Sequence, residues 1–319
     1  MRRIWRAAVD RIAPYDPGRP LEALASDLGR TDLVRLSANE SPLGPSPRVV
    51  EAIAREAARV HLYPDGGSTS LREALAARLG VAPAQIVVGN GADELLALIG
   101  WAALEPGDSR LTARTKAIVL CSPHNPAGTI IRRAPLTAFL DALGHDAPLT
   151  LLDEAYCDFC DDPEYPDGVT LLAHYPRLIL LRTFSKIAGL AGLRVGYTVA
   201  TAEVAERLNR VRAPYNVNRL GQVAALAALE DRAHWERTRD VVIRGRAFLS
   251  RELSRRGFGF PPSQANFLLV QVPQASAVLQ RLLRAGIIVR DGAAVGFPDH
   301  LRIAVGDHAA NVRLLEALA

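Results

Sequence analysis

Of the 319 residues, 38 are Lys or Arg, yet only Lys116 and Lys186 are lysines. Lys186 stands in Thr183-Phe184-Ser185-Lys186-Ile187-Ala188-Gly189-Leu190-Ala191-Gly192-Leu193-Arg194-Val195-Gly196-Tyr197. In a chain that supplies positive charge almost everywhere as guanidinium, a lysine on a small-residue loop points to chemistry that arginine cannot perform. An amine can lose its proton and attack a carbonyl. The run Leu178–Thr183 reads as a strand that delivers the lysine at its end, and Gly189 and Gly192 let the following backbone pass close to a ligand. A Schiff-base lysine would be presented this way. So, from this stretch alone, would a solvated loop lysine.

Other groups with chemical potential sit at comparable places. At Gly89-Asn90-Gly91-Ala92-Asp93-Glu94 a strand stops, turns on two glycines and opens a helix, a geometry that aims backbone N–H groups and a helix dipole at a phosphate. Any tight strand-to-helix turn shares that pattern. Ser122-Pro123-His124-Asn125-Pro126-Ala127-Gly128 is a loop rigid enough to hold the amide of Asn125. Asp153 ends an apolar strand, where a carboxylate is costly unless something cationic meets it; Tyr156 follows three residues later. Together these form the set that pyridoxal phosphate requires. Lys186 would take the aldehyde, and Asp153 would hold the proton on the pyridine nitrogen. Tyr156 and Asn125 would donate to the phenolate oxygen, and Ser185, Arg194 and the amides of Ala92 and Asp93 would hold the phosphate.

The elements that must position these groups alternate along the chain. Strands are expected at 33–37, 85–88, 116–121, 149–152, 178–183, 195–200, 266–272, 287–290 and 301–305. Helices are expected at 20–28, 47–60, 71–79, from the Gly91 turn to about 104, and at 136–143, 202–211, 275–285 and 309–319, with long helices from 219 to 257. Ser46 is the expected cap of the 47–60 helix, with Pro47 at its first position. Alternation of this kind predicts an α/β architecture with a mostly parallel sheet. A length of 319 residues and a hydrophobic fraction of 49% are enough for a large core, and for two domains or a large and a smaller one. The net charge of +4 is modest and scattered, which argues against nucleic acid and for small anionic ligands. Cys157 and Cys160 lack a second pair and, with Cys121, read as ordinary thiols of a reducing compartment, so no metal is expected. Met1–Arg11 has four arginines but no apolar run of a signal peptide, and no stretch reaches membrane-spanning length; the cytoplasm is the expected address.

The motifs Ser37-Ala38-Asn39-Glu40-Ser41-Pro42, Tyr63-Pro64-Asp65, Gly89 to Glu94, Ser122 to Gly128, Asp153 to Tyr156, Ser185 to Tyr197 and Leu301-Arg302-Ile303 occur in one order. On them the chain resembles the fold type I, class I/II pyridoxal-phosphate aminotransferases, and within these the histidinol-phosphate aminotransferases; the resemblance runs from Pro14-Tyr15 to the last helix. It implies a three-layer αβα large domain at 45–212 with a mostly parallel sheet, and a smaller α+β domain built from 1–44 and 213–319. A homodimer is implied, in which Tyr63 reaches the cofactor phosphate of the other subunit. Substrate contacts are implied at Tyr15, Asn39, Arg290 and Arg302. Two arginines suit a phosphate dianion better than a single carboxylate, although Arg290 could instead pair with Asp291. The implied reaction exchanges the amino group of histidinol phosphate with 2-oxoglutarate and glutamate, in histidine biosynthesis. An aromatic amino-acid aminotransferase or a phosphothreonine decarboxylase would share the cofactor motifs, and a non-catalytic protein could retain the scaffold.

In one place the chain departs from that pattern. Between the helix ending near Leu104 and the strand starting at Lys116 it has only residues 105–115, where the family has a strand-helix-strand unit of roughly 30 residues or more. No residue here matches the ring-stacking aromatic of that unit. Impaired turnover and an exposed sheet edge, or a gap closed by neighbouring strands, are therefore expected.

Overall fold

The computed structural model describes residue 12 and residues 19–104, 115–144 and 146–318. Among these residues nine strands form two sheets: β1 (Val34–Leu36), β2 (Ile86–Gly89), β3 (Ala117–Cys121), β4 (Leu149–Asp153), β5 (Leu178–Thr183), β6 (Gly196–Val199), β7 (Phe267–Gln271), β8 (Ile287–Asp291) and β9 (His300–Ala304). The larger sheet has the order β2-β6-β5-β4-β3, and only β6 runs against the others. The smaller sheet has the order β1-β8-β9-β7, with β1 and β8 parallel and β9 antiparallel to both of its neighbours.

The larger sheet lies between two helix layers because its strands are apolar on both faces. Alternate side chains divide cleanly between two cores. Ile86, Val88, Leu152, Leu178 and Leu180 pack with residues of the helices Pro47–Glu56, Thr69–Leu79, Arg133–Leu143 and Arg219–Glu230. Val87, Leu151, Ile179 and Leu181 pack on the other face with the helices Gly91–Ala103 and Ala202–Val211. A third core, containing Leu36, Leu268, Val270, Val289, Leu301 and Ile303, belongs to the smaller sheet and its helices Ala275–Arg284 and His308–Leu318. This is the α/β arrangement expected from the alternation of elements.

Local rules account for the element ends. Ser46 Oγ accepts from Val49 N at 3.3 Å, and Pro47 opens the helix as expected. That helix stops at Glu56, followed by a 3₁₀ turn at Ala57–Arg59, so it is shorter than the expected 47–60. The long helical stretch after Arg219 divides at Asp231, whose side chain accepts from His234 N and starts the second helix, Arg232–Arg255. Among the described residues no helix is long and apolar enough to cross a membrane.

The strand that follows the short connection, β3, ends the order of the larger sheet and pairs only with β4 among the described residues. Its central Val119 is 60% exposed, in a sheet whose β2 and β6 are buried throughout. Of the two outcomes expected of the shortened connection, the described residues show the open edge. Residues 105–114 lie outside them.

Candidate active site

Four strands of the larger sheet point the same way, so the residues just beyond their carboxyl ends converge on one edge of it, where open α/β sheets bind ligands. β2 leads into Gly91-Ala92-Asp93, β3 into Asn125, β4 ends in Asp153, and β5 leads to Ser185 and Lys186. The smaller sheet brings Arg290 on β8 and Arg302 on β9 directly opposite each other in register.

Lys186 is largely buried, and its Nζ donates to the carbonyl of Ala38 at 3.3 Å. The ammonium lies 5.5 Å from the ring centre of Tyr156. Burial, followed by the positive charge of Arg302, brings the amine down from its ordinary 10.5 to about 8; Arg194 adds to this, while Glu40 and Asp153 oppose it. This lysine therefore gives up its proton more readily than a solvated loop lysine does.

Asp153 Oδ1 accepts from Ala155 N at 3.0 Å. Burial raises its carboxyl above the usual range, and no side-chain cation reaches ion-pair distance of it among the described residues. Tyr156, 5% exposed, accepts from Asn39 Nδ2 at 3.2 Å and packs edge-on against Phe267. Burial pushes its hydroxyl up to about 12, so it remains a donor. Asn39 is 1% exposed and has a left-handed backbone (φ 54°). Its Oδ1 is buried with no hydrogen-bond partner among the described residues.

At the opening of the Gly91–Ala103 helix the first-turn amides of Ala92 and Asp93 have no carbonyl of their own helix to bond. Arg194, itself at φ 53°, lies across this turn with Nη2 2.8 Å from Asp93 Oδ2. The φ of 76° at Gly91 favours glycine, and a Cβ there would sit 2.6 Å from Arg194 Nη2 and push the guanidinium aside. Ser185 is buried beside it, its amide held by Thr183 Oγ1 at 3.0 Å.

The segment 37–40 closes the other side. Arg302, 8% exposed, donates from Nη2 to the Ser37 carbonyl and from Nη1 to Asn125 Oδ1, both at 2.8 Å. Asp291 accepts from Ala293 N instead of holding Arg290, which has no carboxylate at ion-pair distance among the described residues. Tyr63 is 79% exposed, with its ring stacked on Tyr215 at 4.7 Å. Tyr15 lies outside the described residues.

Two features of the site were not foreseen from the sequence. Glu154 and Arg182 form a buried ion pair at 2.8 Å bridging β4 and β5, next to Asp153. Asn266, wholly buried, donates to the carbonyls of Asn39 and Glu40 at 3.1 and 3.4 Å. A glutamate beside the site aspartate was the only available hint of the first; nothing local marks the second, because its partners are over 220 residues away.

The geometry fits pyridoxal phosphate on three observations: a partly buried amine at a strand end, a partly buried carboxylate with no cation at ion-pair distance among the described residues, and a glycine-lined helix start under an arginine. Comparison with known families matches residues 31–111 and 108–318 to "Aminotransferase class I and II". The chain is 39% identical to the histidinol-phosphate aminotransferase of Moorella thermoacetica over 354 residues, covering 98% of this chain and 92% of the relative. It is 40% identical to that of Anaeromyxobacter sp. over 352 residues, covering 97% and 96%. Among solved structures it resembles histidinol-phosphate aminotransferase from Sinorhizobium meliloti in complex with pyridoxal-5'-phosphate. There the TM-score is 0.87 and the identity 29%, with 99% of this chain and 96% of that one covered. The two family matches meet at 108–111, and an alignment 354 residues long exceeds the 319 of this chain, so the Moorella protein has at least 35 positions without a counterpart here. The chain belongs to the class I and II aminotransferases.

Proposed function

We propose that the protein transfers an amino group between histidinol phosphate and 2-oxoglutarate, using pyridoxal phosphate, in histidine biosynthesis. The observation that carries this reading is the pairing of Arg290 and Arg302 across β8 and β9 beside the depressed amine of Lys186. The near full-length identity to histidinol-phosphate aminotransferases supports it. Two guanidinium groups match a phosphate dianion, and one cradle can serve the carboxylates of glutamate in the other half-reaction.

In this reading Lys186, Asp153, Tyr156, Asn125, Ser185, Arg194 and the amides of Ala92 and Asp93 hold the cofactor. When bound, pyridoxal phosphate supplies a carbonyl for the amine and an electron-poor ring that acidifies the substrate Cα–H. Lys186 moves the proton at Cα. A pKa of about 8 instead of 10.5 gives roughly 300-fold more neutral amine at pH 7. Asp153 keeps a proton on the ring nitrogen, and Tyr156 donates to the ring oxygen. The resemblance gives the substrate Asn39 and, outside the described residues, Tyr15. The three backbone carbonyls of Ser37, Ala38 and Asn39 are all engaged by side chains, which fixes the wall opposite Lys186.

The reading extends to a homodimer in the cytoplasm. Val60, Leu62, Tyr63 and Tyr215 are exposed together beside one groove, and Tyr63 from this surface reaches the partner's cofactor phosphate. It extends also to a large cofactor-binding part at 45–212 and a smaller part formed by both chain ends. The helix Arg219–Glu230 goes with the large part, since it packs on the helices Pro47–Glu56 and Thr69–Leu79.

The test is steady-state assay of the purified protein with 2-oxoglutarate and histidinol phosphate, and with phenylalanine as the comparison donor. Arg290→Ala should lose far more activity on histidinol phosphate than on phenylalanine, because the dianion loses one of two clamps. Equal losses would remove the phosphate clamp from the reading. A cofactor-loaded protein inactive on histidinol phosphate but active on another amine would replace the substrate.

A further inference from the structure

Tyr156 depends for its orientation on a residue outside the cofactor shell. Its hydroxyl accepts from Asn39 Nδ2 at 3.2 Å. A buried phenol that accepts on one side turns its own proton to another within the plane of its ring, and the Lys186 ammonium lies over one face of that ring, 5.5 Å from its centre. Asn39 therefore decides where Tyr156 donates. Asn39 can do so only in its left-handed backbone conformation, φ 54°, which asparagine tolerates but does not prefer.

Asn266 is what holds that conformation. It is 0% exposed, and its Nδ2 donates to the Asn39 carbonyl at 3.1 Å and, less closely, to that of Glu40 at 3.4 Å. The clamp is itself anchored, since the Asn266 carbonyl accepts from Val305 N at 2.8 Å, tying the start of β7 to the residue after β9. The next residue, Phe267, packs edge-on against the Tyr156 ring with centroids 5.1 Å apart. Asn266 and Phe267 thus constrain Tyr156 twice, through its ring and, by way of Asn39, through its hydroxyl. Burying an amide between two carbonyls in an otherwise apolar strand carries a desolvation cost that a purely structural position would avoid by using leucine.

We propose that Asn266 is a positioning residue for the reaction: by clamping the Asn39 backbone it aims the Asn39 amide at Tyr156 and fixes the direction in which the Tyr156 hydroxyl donates. The proposal rests on the reading of Lys186 and Tyr156 as cofactor-facing groups. A donor aimed at the phenolate oxygen stabilises the anionic ring, so losing its aim raises the pH at which the visible band of the lysine-bound cofactor titrates.

The experiment is a spectral pH titration of the holoenzyme in four forms: wild type, Asn266→Leu, Asn39→Gly, and the double variant. Glycine at 39 keeps the left-handed backbone and removes only the amide. Each single variant should raise the midpoint by on the order of one pH unit, the scale of one charge-assisted hydrogen bond. The double variant should go no higher than Asn39→Gly alone, because residues acting through one another are not additive. An unmoved midpoint in Asn266→Leu, or shifts that add in the double variant, would overturn the proposal. If leucine prevents folding, Asn266→Ala leaves space instead of a clash and carries the same expectation. A wild-type protein with no borohydride-reducible visible band would overturn the cofactor reading itself, an outcome distinct from a band that Asn266 does not move.

Discussion

Lys186→Met in the cofactor-free protein isolates what it costs the fold to present an amine at this site. Folding lowers the amine from 10.5 to about 8, mainly through burial and then through the positive charge of Arg302. At about 1.4 kcal/mol for each tenfold change in proton affinity, the buried charge costs about 3 kcal/mol. The sign follows from proton counting. Below pH 8 the amine is protonated in both folded and unfolded chains, and the full cost is present. Between pH 8 and 10.5 the unfolded chain binds more protons, so wild-type stability rises with pH; above 10.5 the cost has gone. Methionine removes the charge but leaves the Ala38 carbonyl without its 3.3 Å donor, a loss of about 1 kcal/mol. At pH 7 the variant should therefore be more stable by about 2 kcal/mol. With an unfolding entropy of about 2.1 cal/mol/K per residue, that is a Tm gain of about 3 °C. Near pH 10.5 the difference should fall to zero or reverse. Thermal unfolding of both cofactor-stripped proteins at the two pH values measures this. A methionine variant less stable at pH 7, or a difference independent of pH, would refute the argument that burial depresses the amine.

Three further outcomes are expected. Glu154→Ala should destabilise the protein by about 3–5 kcal/mol in urea unfolding, because Arg182 is left charged and buried, whereas Glu154→Gln should lose less. Equal losses for the two would mean that charge is not what the pair contributes. Gly91→Ala should weaken cofactor binding at least about tenfold in an absorbance titration, since a φ of 76° strains any residue with a Cβ and the added methyl pushes the Arg194 guanidinium off the turn; unchanged affinity would displace the phosphate from this turn. The short connection has no residue matching the family's ring-stacking aromatic, and β3 has an open edge among the described residues, so turnover should fall below the enzyme median of about 10 per second and the protein should be prone to aggregate. Inserting the family's strand-helix-strand unit after Asp108 should raise turnover and solubility with little change in the visible spectrum, and a native rate at the median would mean that another side chain covers the ring.

Much of this protein was legible in the order of its residues, for a physical reason. Helix and strand periods are set by neighbours a few positions apart, so β5, with apolar residues on both faces, reads directly as a buried strand, and Ser46-Pro47 as a helix start. That Ala92, Asn125, Asp153 and Lys186 meet at one sheet edge was legible too, because each ends such a strand or follows it within four residues and parallel strands bring their ends to one edge. Where local rules were in balance they failed by a turn: the helix from Pro47 gives way to a 3₁₀ turn at Ala57. What the tertiary structure alone decided are relations between distant residues. Arg290 faces Arg302 because of the register of β8 with β9, Glu154 meets Arg182 across β4 and β5, and Asn266 clamps Asn39 from 227 positions away. The lowered pKa of Lys186 belongs to the same class, since burial and the charge of Arg302 act through space that only the folded chain encloses.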